Sequence, residues 1–167
     1  MTIEEAINTA IAFEIQVRDL YRGVMEDTGD PVGKRIFRIL ADEEQGHYDY
    51  LREKLNEWKG TGAITVERLK TEIPSQELIE EEAGKLGARA AGKDLGGELE
   101  MLSRAYEVET ETSEFYKKMA RELPGEGQRL FAGFVEIEEG HLAIVRAEMD
   151  YLSKTGYWFD FKEFDME

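Results

Sequence analysis

The segment Phe37-Arg38-Ile39-Leu40-Ala41-Asp42-Glu43-Glu44-Gln45-Gly46-His47 carries the clearest structural signal of the chain. Glu44 and His47 are three residues apart, so on a helix their side chains share one face. The same pattern returns 94 residues later in Phe131-Ala132-Gly133-Phe134-Val135-Glu136-Ile137-Glu138-Glu139-Gly140-His141. These stretches contain the only two histidines of the protein. The repeated pair indicates two related helices that carry one kind of polar site.

Four predicted helices each carry a glutamate in the middle of an apolar stripe. They span about residues 3–28, 31–58, 95–123 and 126–153. A capping box at Thr2 and caps at Asp30 and Asp94 mark three of the helix starts. The central glutamates are Glu14, Glu44, Glu109 and Glu138. A carboxylate buried without a counter-charge is costly, so four of them in four stripes indicate that something neutralises them.

The connection between the second and third helices is unusually long. It covers residues 59–94, contains a short predicted helix at about 76–86, and is broken by Gly60, Gly62 and Pro74. One long crossover is expected in ferritin-like bundles and not in simple up-and-down bundles. We therefore predict an all-α, ferritin-like four-helix bundle that occupies residues 1–167 as a single domain.

An aromatic tail at residues 156–161 follows the fourth helix. The sequence leaves two interpretations open: a lid packed over one end of the bundle, or a contact in a dimer. Together with the long crossover, the tail leads us to expect a homodimer or a higher homo-oligomer.

Composition narrows the classes of partner. A net charge of −16 argues against nucleic acids and anionic membranes and suits the attraction of cations. The chain has no cysteine, which excludes disulfides and thiolate metal sites. We see neither a signal-peptide pattern nor an apolar run long enough to span a membrane, and we expect a cytoplasmic protein.

The polar residues of the stripes predict a metal centre. Two divalent cations cancel the charge of four carboxylates, and two neutral imidazoles complete the ligand set. Carboxylate oxygens with imidazole nitrogens suit iron or manganese better than a closed structural zinc site.

These residues resemble the ferritin-like di-iron carboxylate superfamily, and the rubrerythrin branch in particular. The resemblance rests on the two Glu-x-x-His helices and on Tyr21 and Tyr116, each seven residues after a central glutamate. It covers roughly residues 3–58 and 95–153. It implies two iron ions as the cofactor, with manganese or a mixed pair as alternatives.

The resemblance also implies a role for each residue. Glu14 and Glu109 would be ligands from the first and third helices, Glu44 and Glu138 bridging carboxylates, and His47 and His141 ligands to one metal each. Tyr21 and Tyr116 are either ordinary core aromatics or hydrogen-bond donors to ligand carboxylates. No catalytic residue beyond the metal site is predicted.

Two features differ from rubrerythrins. Thr112 stands where rubrerythrins usually carry a further carboxylate, and the chain lacks the four cysteines of a rubredoxin-like domain. The resemblance implies reduction of hydrogen peroxide, here with electrons from an external donor protein. The alternatives are a ferroxidase that uses oxygen or an iron-storage protein, and a metal-binding bundle without turnover.

Several other acidic residues near the stripes are predicted to face solvent: Asp42, Glu43, Glu107, Glu111, Glu114, Glu136 and Glu139. Glu111 or Glu114 would reach the site only if a π-bulge shifted the helical register.

Overall fold

The computed structural model describes residues 1–85, 96–156 and 158–161. Its helices are α1 (Ile3–Asp27), α2 (Pro31–Thr61), α3 (Gln76–Lys85), α4 (Gly96–Glu122) and α5 (Gly125–Thr155). These residues contain no β-strand. The predicted all-α bundle is confirmed, with four long helices and a long connection between the second and the third of them.

The long helices form two hairpins. Helix α1 packs along α2, and α4 packs along α5; α1 also contacts α4, and the short α3 lies against α5. Each hairpin closes through a short turn, residues 28–30 in the first and 123–124 in the second. The hairpins correspond to the two halves of the sequence repeat, and their contact brings the four central glutamates together.

The helix starts follow from capping. The Thr2 hydroxyl accepts a hydrogen bond from the Glu5 amide, and the Glu5 carboxylate accepts one from the Thr2 amide, both at 3.1 Å. At the start of α2, the Asp30 carboxylate accepts a hydrogen bond from the Val32 amide at 2.8 Å. The proposed cap Asp94 lies outside the described residues.

Two helices end later than predicted. Helix α2 runs to Thr61 and α5 to Thr155, where we expected about 58 and 153. Gly62 and Gly156 follow them with φ of 72° and 78°, and their amides bond to Trp58 and Leu152 carbonyls. A glycine in this left-handed conformation ends a helix at low cost, so each helix extends as far as its glycine.

The stripes form two apolar layers, one on each side of the central polar residues. One layer includes Val17, Tyr21 and Phe37. The other includes Ile7 and Phe134. Burial of such side chains contributes roughly 1.5–3 kcal/mol each. The polar residues between the layers are thus separated from water along the bundle axis.

The aromatic tail covers one end of the bundle. Trp158, Phe159 and Phe161 are buried, and the Trp158 ring meets the Phe37 ring edge-on with centroids 5.5 Å apart. Asp160 forms an ion pair with Arg35. In the described residues the tail is therefore a lid within its own chain; the expected oligomer stays a prediction.

Buried polar side chains of α2 and α5 bind the crossover and the aromatic tail to the bundle. Buried Lys54 of α2 lies 3.1 Å from Glu67 of the crossover. Buried Glu148 of α5 accepts a 2.6 Å hydrogen bond from the Phe159 amide in the tail. Each of these residues comes seven positions after a histidine, two turns along the same helix face.

No helix in the described part of the chain is long and apolar enough to cross a membrane.

Candidate metal centre

All six predicted ligands meet at the centre of the bundle. Helices α1 and α4 contribute one glutamate each, and α2 and α5 contribute a glutamate and a histidine each. None of the six is more than 3% exposed. They are Glu14, Glu44, His47, Glu109, Glu138 and His141.

Their side-chain atoms form two groups that could each hold a metal ion. The atoms of each group lie within 4.8 Å of one another. One group consists of Glu14, Glu44, His47 and Glu138, and the other of Glu44, Glu109, Glu138 and His141. Both contain the glutamates of α2 and α5, which is the placement that bridging carboxylates require.

Both histidines turn Nδ1 toward the carboxylates. Nδ1 of His141 lies 2.6 Å from Glu44 and 3.4 Å from Glu109. Nδ1 of His47 lies 3.5 Å from both Glu14 and Glu44. The two rings are stacked with centroids 5.7 Å apart. Either histidine can therefore offer Nδ1 to an ion and keep Nε2 outside the cluster.

The two tyrosines bind the terminal glutamates crosswise. Tyr21 of α1 donates a 2.5 Å hydrogen bond to Oε1 of Glu109 on α4, and Tyr116 of α4 donates one of 2.5 Å to Oε1 of Glu14 on α1. Burial, together with the neighbouring carboxylates, raises the pKa of both phenols well above the ordinary value, so they remain donors. Of the two interpretations of these tyrosines, the hydrogen bonds favour that of donors to the central glutamates, whose role as metal ligands stays a prediction.

Several buried polar atoms of the cluster have no hydrogen-bond partner, which bears on whether metal ions fit the site. Among the described residues, Oε2 of Glu14, Glu44 and Glu109 has no hydrogen-bond partner, and the same is true of both carboxylate oxygens of Glu138 and of Nδ1 of His47. Buried polar atoms normally have partners, and an unmet one costs about 1–3 kcal/mol. These oxygen and nitrogen atoms lie close together and can each coordinate a metal ion. Cations therefore fit this set of side chains.

Two carboxylates of the cluster remain ionised without metal. Burial raises the pKa of Glu109, but the close approach of His141 and of the Glu138 carboxyl group outweighs burial and lowers it to about 2. Burial also raises the pKa of Glu14, while the close approach of the Glu44 carboxyl group and attraction to His47 bring it below the ordinary value.

The other two carboxylates take up protons. Burial, then repulsion by Glu14 and Glu109, raises the pKa of Glu44 well above its usual range. Burial, then repulsion by Glu109 and Glu44, does the same to the pKa of Glu138. Two of the four carboxylates are therefore neutral over part of the pH range in which free glutamates are ionised.

The histidines balance the remaining charge. Burial lowers the pKa of each, but attraction to Glu14 raises the pKa of His47 and attraction to Glu44 raises that of His141, both well above the ordinary value. Without metal, two imidazolium ions face two carboxylates, and the cluster approaches neutrality by binding protons. Divalent cations would take the place of those protons.

The prediction that Glu43 faces solvent was wrong. Its side chain is only 9% exposed, and Oε1 lies 3.0 Å from Nε2 of His141. The carboxylate also accepts hydrogen bonds from the Thr71 hydroxyl at 2.7 Å and the Glu72 amide at 2.8 Å. Burial raises its pKa, but hydrogen bonding and attraction to His141 lower it overall, which keeps Glu43 ionised.

For the other acidic residues that were predicted to face solvent, the structure agrees closely with the prediction. Five of them are exposed: Asp42, Glu107, Glu111, Glu114 and Glu136. Glu139 is partly covered and pairs with Lys117 at 3.1 Å, away from the cluster. Thr112 is buried and donates to the Val108 carbonyl at 2.9 Å, so its hydroxyl serves its own helix.

Comparison with known proteins supports the fold and is silent on activity. No family model matches the chain, and no curated protein matches it significantly. A solved structure of a hypothetical protein from Pyrococcus furiosus is similar, with a TM-score of 0.67, 23% sequence identity and 94% of each chain covered. At this identity, the likeness supports the helical fold alone.

Proposed function

We propose that the protein binds two divalent transition-metal ions, iron foremost, between the four long helices. The observation that carries the proposal is the pair of ligand groups that share Glu44 and Glu138. In each group, one further glutamate and one histidine complete a set of three carboxylates and one imidazole. Glu14 and His47 would hold one ion, and Glu109 and His141 the other.

The chemistry of the donors supports iron or manganese. Carboxylate oxygens and imidazole nitrogens suit these ions, and the chain offers no thiolate that would favour zinc or an iron–sulfur cluster. Two divalent ions carry four positive charges, which four ionised glutamates match. The two histidines then bind as neutral imidazoles.

We further propose that the protein is an oxidoreductase that reduces hydrogen peroxide. When bound, two ferrous ions supply the two electrons that, with two protons, convert one peroxide molecule into two water molecules. Because the chain has no cysteine-based redox group, an external donor protein would return the electrons.

The chain's own residues would bind the ions and exclude larger substrates. Tyr21 and Tyr116 each use one oxygen of a glutamate and leave the other oxygen available to the ion. The apolar layers exclude bulk water along the bundle axis. Surface cavities of about 750 and 480 Å³ occur in the described structure, but none of the six ligands lines either of them. A small oxidant such as peroxide or oxygen suits so closed a site.

A second candidate function is ferroxidase activity or iron handling. The net charge of −16 attracts cations, and Glu43, whose side chain is 9% exposed, lies beside the outer nitrogen of buried His141. These features would favour delivery of ferrous ions as substrates that leave after oxidation.

The oxidant preference of the iron-loaded protein separates these functions. The metal-free protein is loaded with two equivalents of ferrous iron without oxygen and then mixed with peroxide or with oxygen in a stopped-flow instrument. Fast oxidation by peroxide with retained iron supports the peroxidase. Oxygen-driven turnover of many ferrous ions per chain supports the ferroxidase. Bound iron that resists both oxidants contradicts both and indicates a bundle without turnover.

A further inference from the structure

The two histidines occupy equivalent places in the repeat but have different surroundings on their outer side. Nε2 of His141 faces Oε1 of Glu43 at 3.0 Å. Nε2 of His47 is also buried, yet it has no hydrogen-bond partner among the described residues. Instead, the ring of His47 lies edge-on to Phe134, with centroids 5.3 Å apart. One imidazole is therefore oriented by a carboxylate, and the other by ring packing.

The Glu43 carboxylate is itself held in place by the crossover. Oε1 accepts from the Thr71 hydroxyl at 2.7 Å, and Oε2 accepts from the Glu72 amide at 2.8 Å. Both oxygens are therefore engaged, which fixes the orientation of the carboxylate toward His141. A residue of α2 and a segment outside the four long helices together support a histidine of α5.

The sequence repeat explains why His47 lacks such a partner. The shift of 94 residues that relates Glu44 to Glu138 and His47 to His141 also relates Glu43 to Ile137. An isoleucine side chain cannot accept a hydrogen bond. The two halves thus have the same residues in the Glu-x-x-His pairs but differ at the position before each glutamate.

Resting on the proposed two-metal function, we propose that Glu43 is a positioning residue that makes the two metal positions unequal. A carboxylate on Nε2 keeps the proton on that nitrogen, leaves the lone pair of Nδ1 free for an ion, and makes the imidazole a stronger donor. The position served by Glu109 and His141 therefore binds a divalent ion more tightly and fills first. The position served by Glu14 and His47 fills second.

Anaerobic titration of the metal-free protein with Co²⁺ tests this inequality. The wild type should bind two ions in two resolved steps. Calorimetry and visible absorption monitor the binding. Glu43→Gln should weaken the tighter step about 10–100-fold and leave the weaker step within about twofold. Asp42→Asn is the matched control, because it removes one charge at the neighbouring exposed position and should change neither step.

Two additional variants show that Glu43 acts through His141. In a His141→Ala background, Glu43→Gln should have no further effect on Co²⁺ affinity. Thr71→Val keeps the carboxylate but removes one of its supports, so it should weaken the tighter step by less than Glu43→Gln. Proton NMR of the Co²⁺ protein gives a direct readout, because Glu43→Gln should move the shifted, exchangeable N–H signal of one histidine and leave that of the other in place.

The outcomes separate this inference from the function on which it rests. A wild type that binds no Co²⁺ overturns the proposed metal centre and the inference with it. A wild type that binds two ions, combined with a Glu43→Gln variant that weakens both steps equally or neither step, overturns the inference alone. If circular dichroism shows that Glu43→Gln is unfolded, Thr71→Val decides, and an unchanged tighter step in that variant counts against the inference.

Discussion

The Tyr116 hydroxyl donates a 2.5 Å hydrogen bond to Glu14, which lies 102 positions earlier in the other half of the chain. Tyr21 makes the reciprocal bond to Glu109, 88 positions later. Each half of the repeat carries the tyrosine that orients a candidate ligand of the other half. Neither hairpin can therefore form either group of ligands with its hydrogen bonds complete.

Replacement of Tyr116 by phenylalanine should destabilise the metal-free protein. The ring remains to stack on Phe134, but the ionised and buried Glu14 loses a donor, which costs about 1–3 kcal/mol. Urea denaturation at neutral pH measures the loss. Tyr151→Phe, a control far from the cluster, should stay within about 0.5 kcal/mol of the wild type. Equal stability of Tyr116→Phe and wild type would show that the bond contributes nothing.

Metal affinity should fall as the pH falls. Glu44, Glu138, His47 and His141 all have a raised pKa without metal, so an incoming ion must displace protons from them. Between about pH 8 and pH 6, the apparent affinity for Mn²⁺ should decrease, and calorimetry in buffers of different ionisation enthalpy should register proton release. Binding without proton release would mean that the cluster is not protonated as described.

Glu148 should limit stability at higher pH. Burial, and then repulsion by Asp160 and Asp30, raises its pKa well above the ordinary value, despite the opposing hydrogen bond from the Phe159 amide. For an acid whose folded pKa is raised, the stabilising contribution is complete below the unfolded pKa and is lost as the pH rises through the folded pKa.

Glu148→Gln keeps the acceptor for Phe159 and removes that ionisation. The variant should be more stable than the wild type by about 1 kcal/mol or more at pH 8, with the advantage fading toward about pH 4.5. Chemical denaturation over this pH range measures it. Glu136→Gln, exposed on the same helix, is the control and should shift stability by less than about 0.5 kcal/mol. A constant difference at every pH would exclude a buried titrating carboxyl.

Gly33 should tolerate no side chain. A Cβ added there would lie 2.6 Å from Cε2 of Trp158, so Gly33→Ala should displace the tail and cost about 1–3 kcal/mol. Gly46→Ala on the same helix meets nothing within 4 Å and should stabilise by about 0.5–1 kcal/mol. Thermal melts measure both effects. A Gly33→Ala variant as stable as Gly46→Ala would show that the tail does not pack on α2.

The long helices and the central cluster follow from local rules that operate within a single helix. Stripes at alternating steps of three and four place Glu14 and Glu109 inward, and the Glu-x-x-His spacing adds the histidines. The position of the long connection also follows from where the stripes stop. These signals depend on the helical period, which the sequence displays directly.

The residues that sequence reasoning placed wrongly or passed over depend on contacts between elements. Glu43 lies one position off the stripe of α2, and Thr71 and Glu72 of the crossover hold it against His141. No helical period encodes that contact. The burial of Lys54 and Glu148 is not among the predictions, although each residue follows a histidine by seven positions and so lies on a stripe. That spacing was the available signal for their burial.

The number of ions bound to each chain shows whether the bundle holds a two-metal centre. We expect anaerobic calorimetric titration of the metal-free protein with ferrous iron, checked by elemental analysis after gel filtration, to give two ions per chain. Glu138→Ala should disrupt both positions because both ligand groups contain this residue, whereas His141→Ala should disrupt chiefly one. A wild type that retains no iron, or a Glu138→Ala variant that still binds two ions with wild-type affinity, would contradict a two-metal centre that shares Glu138.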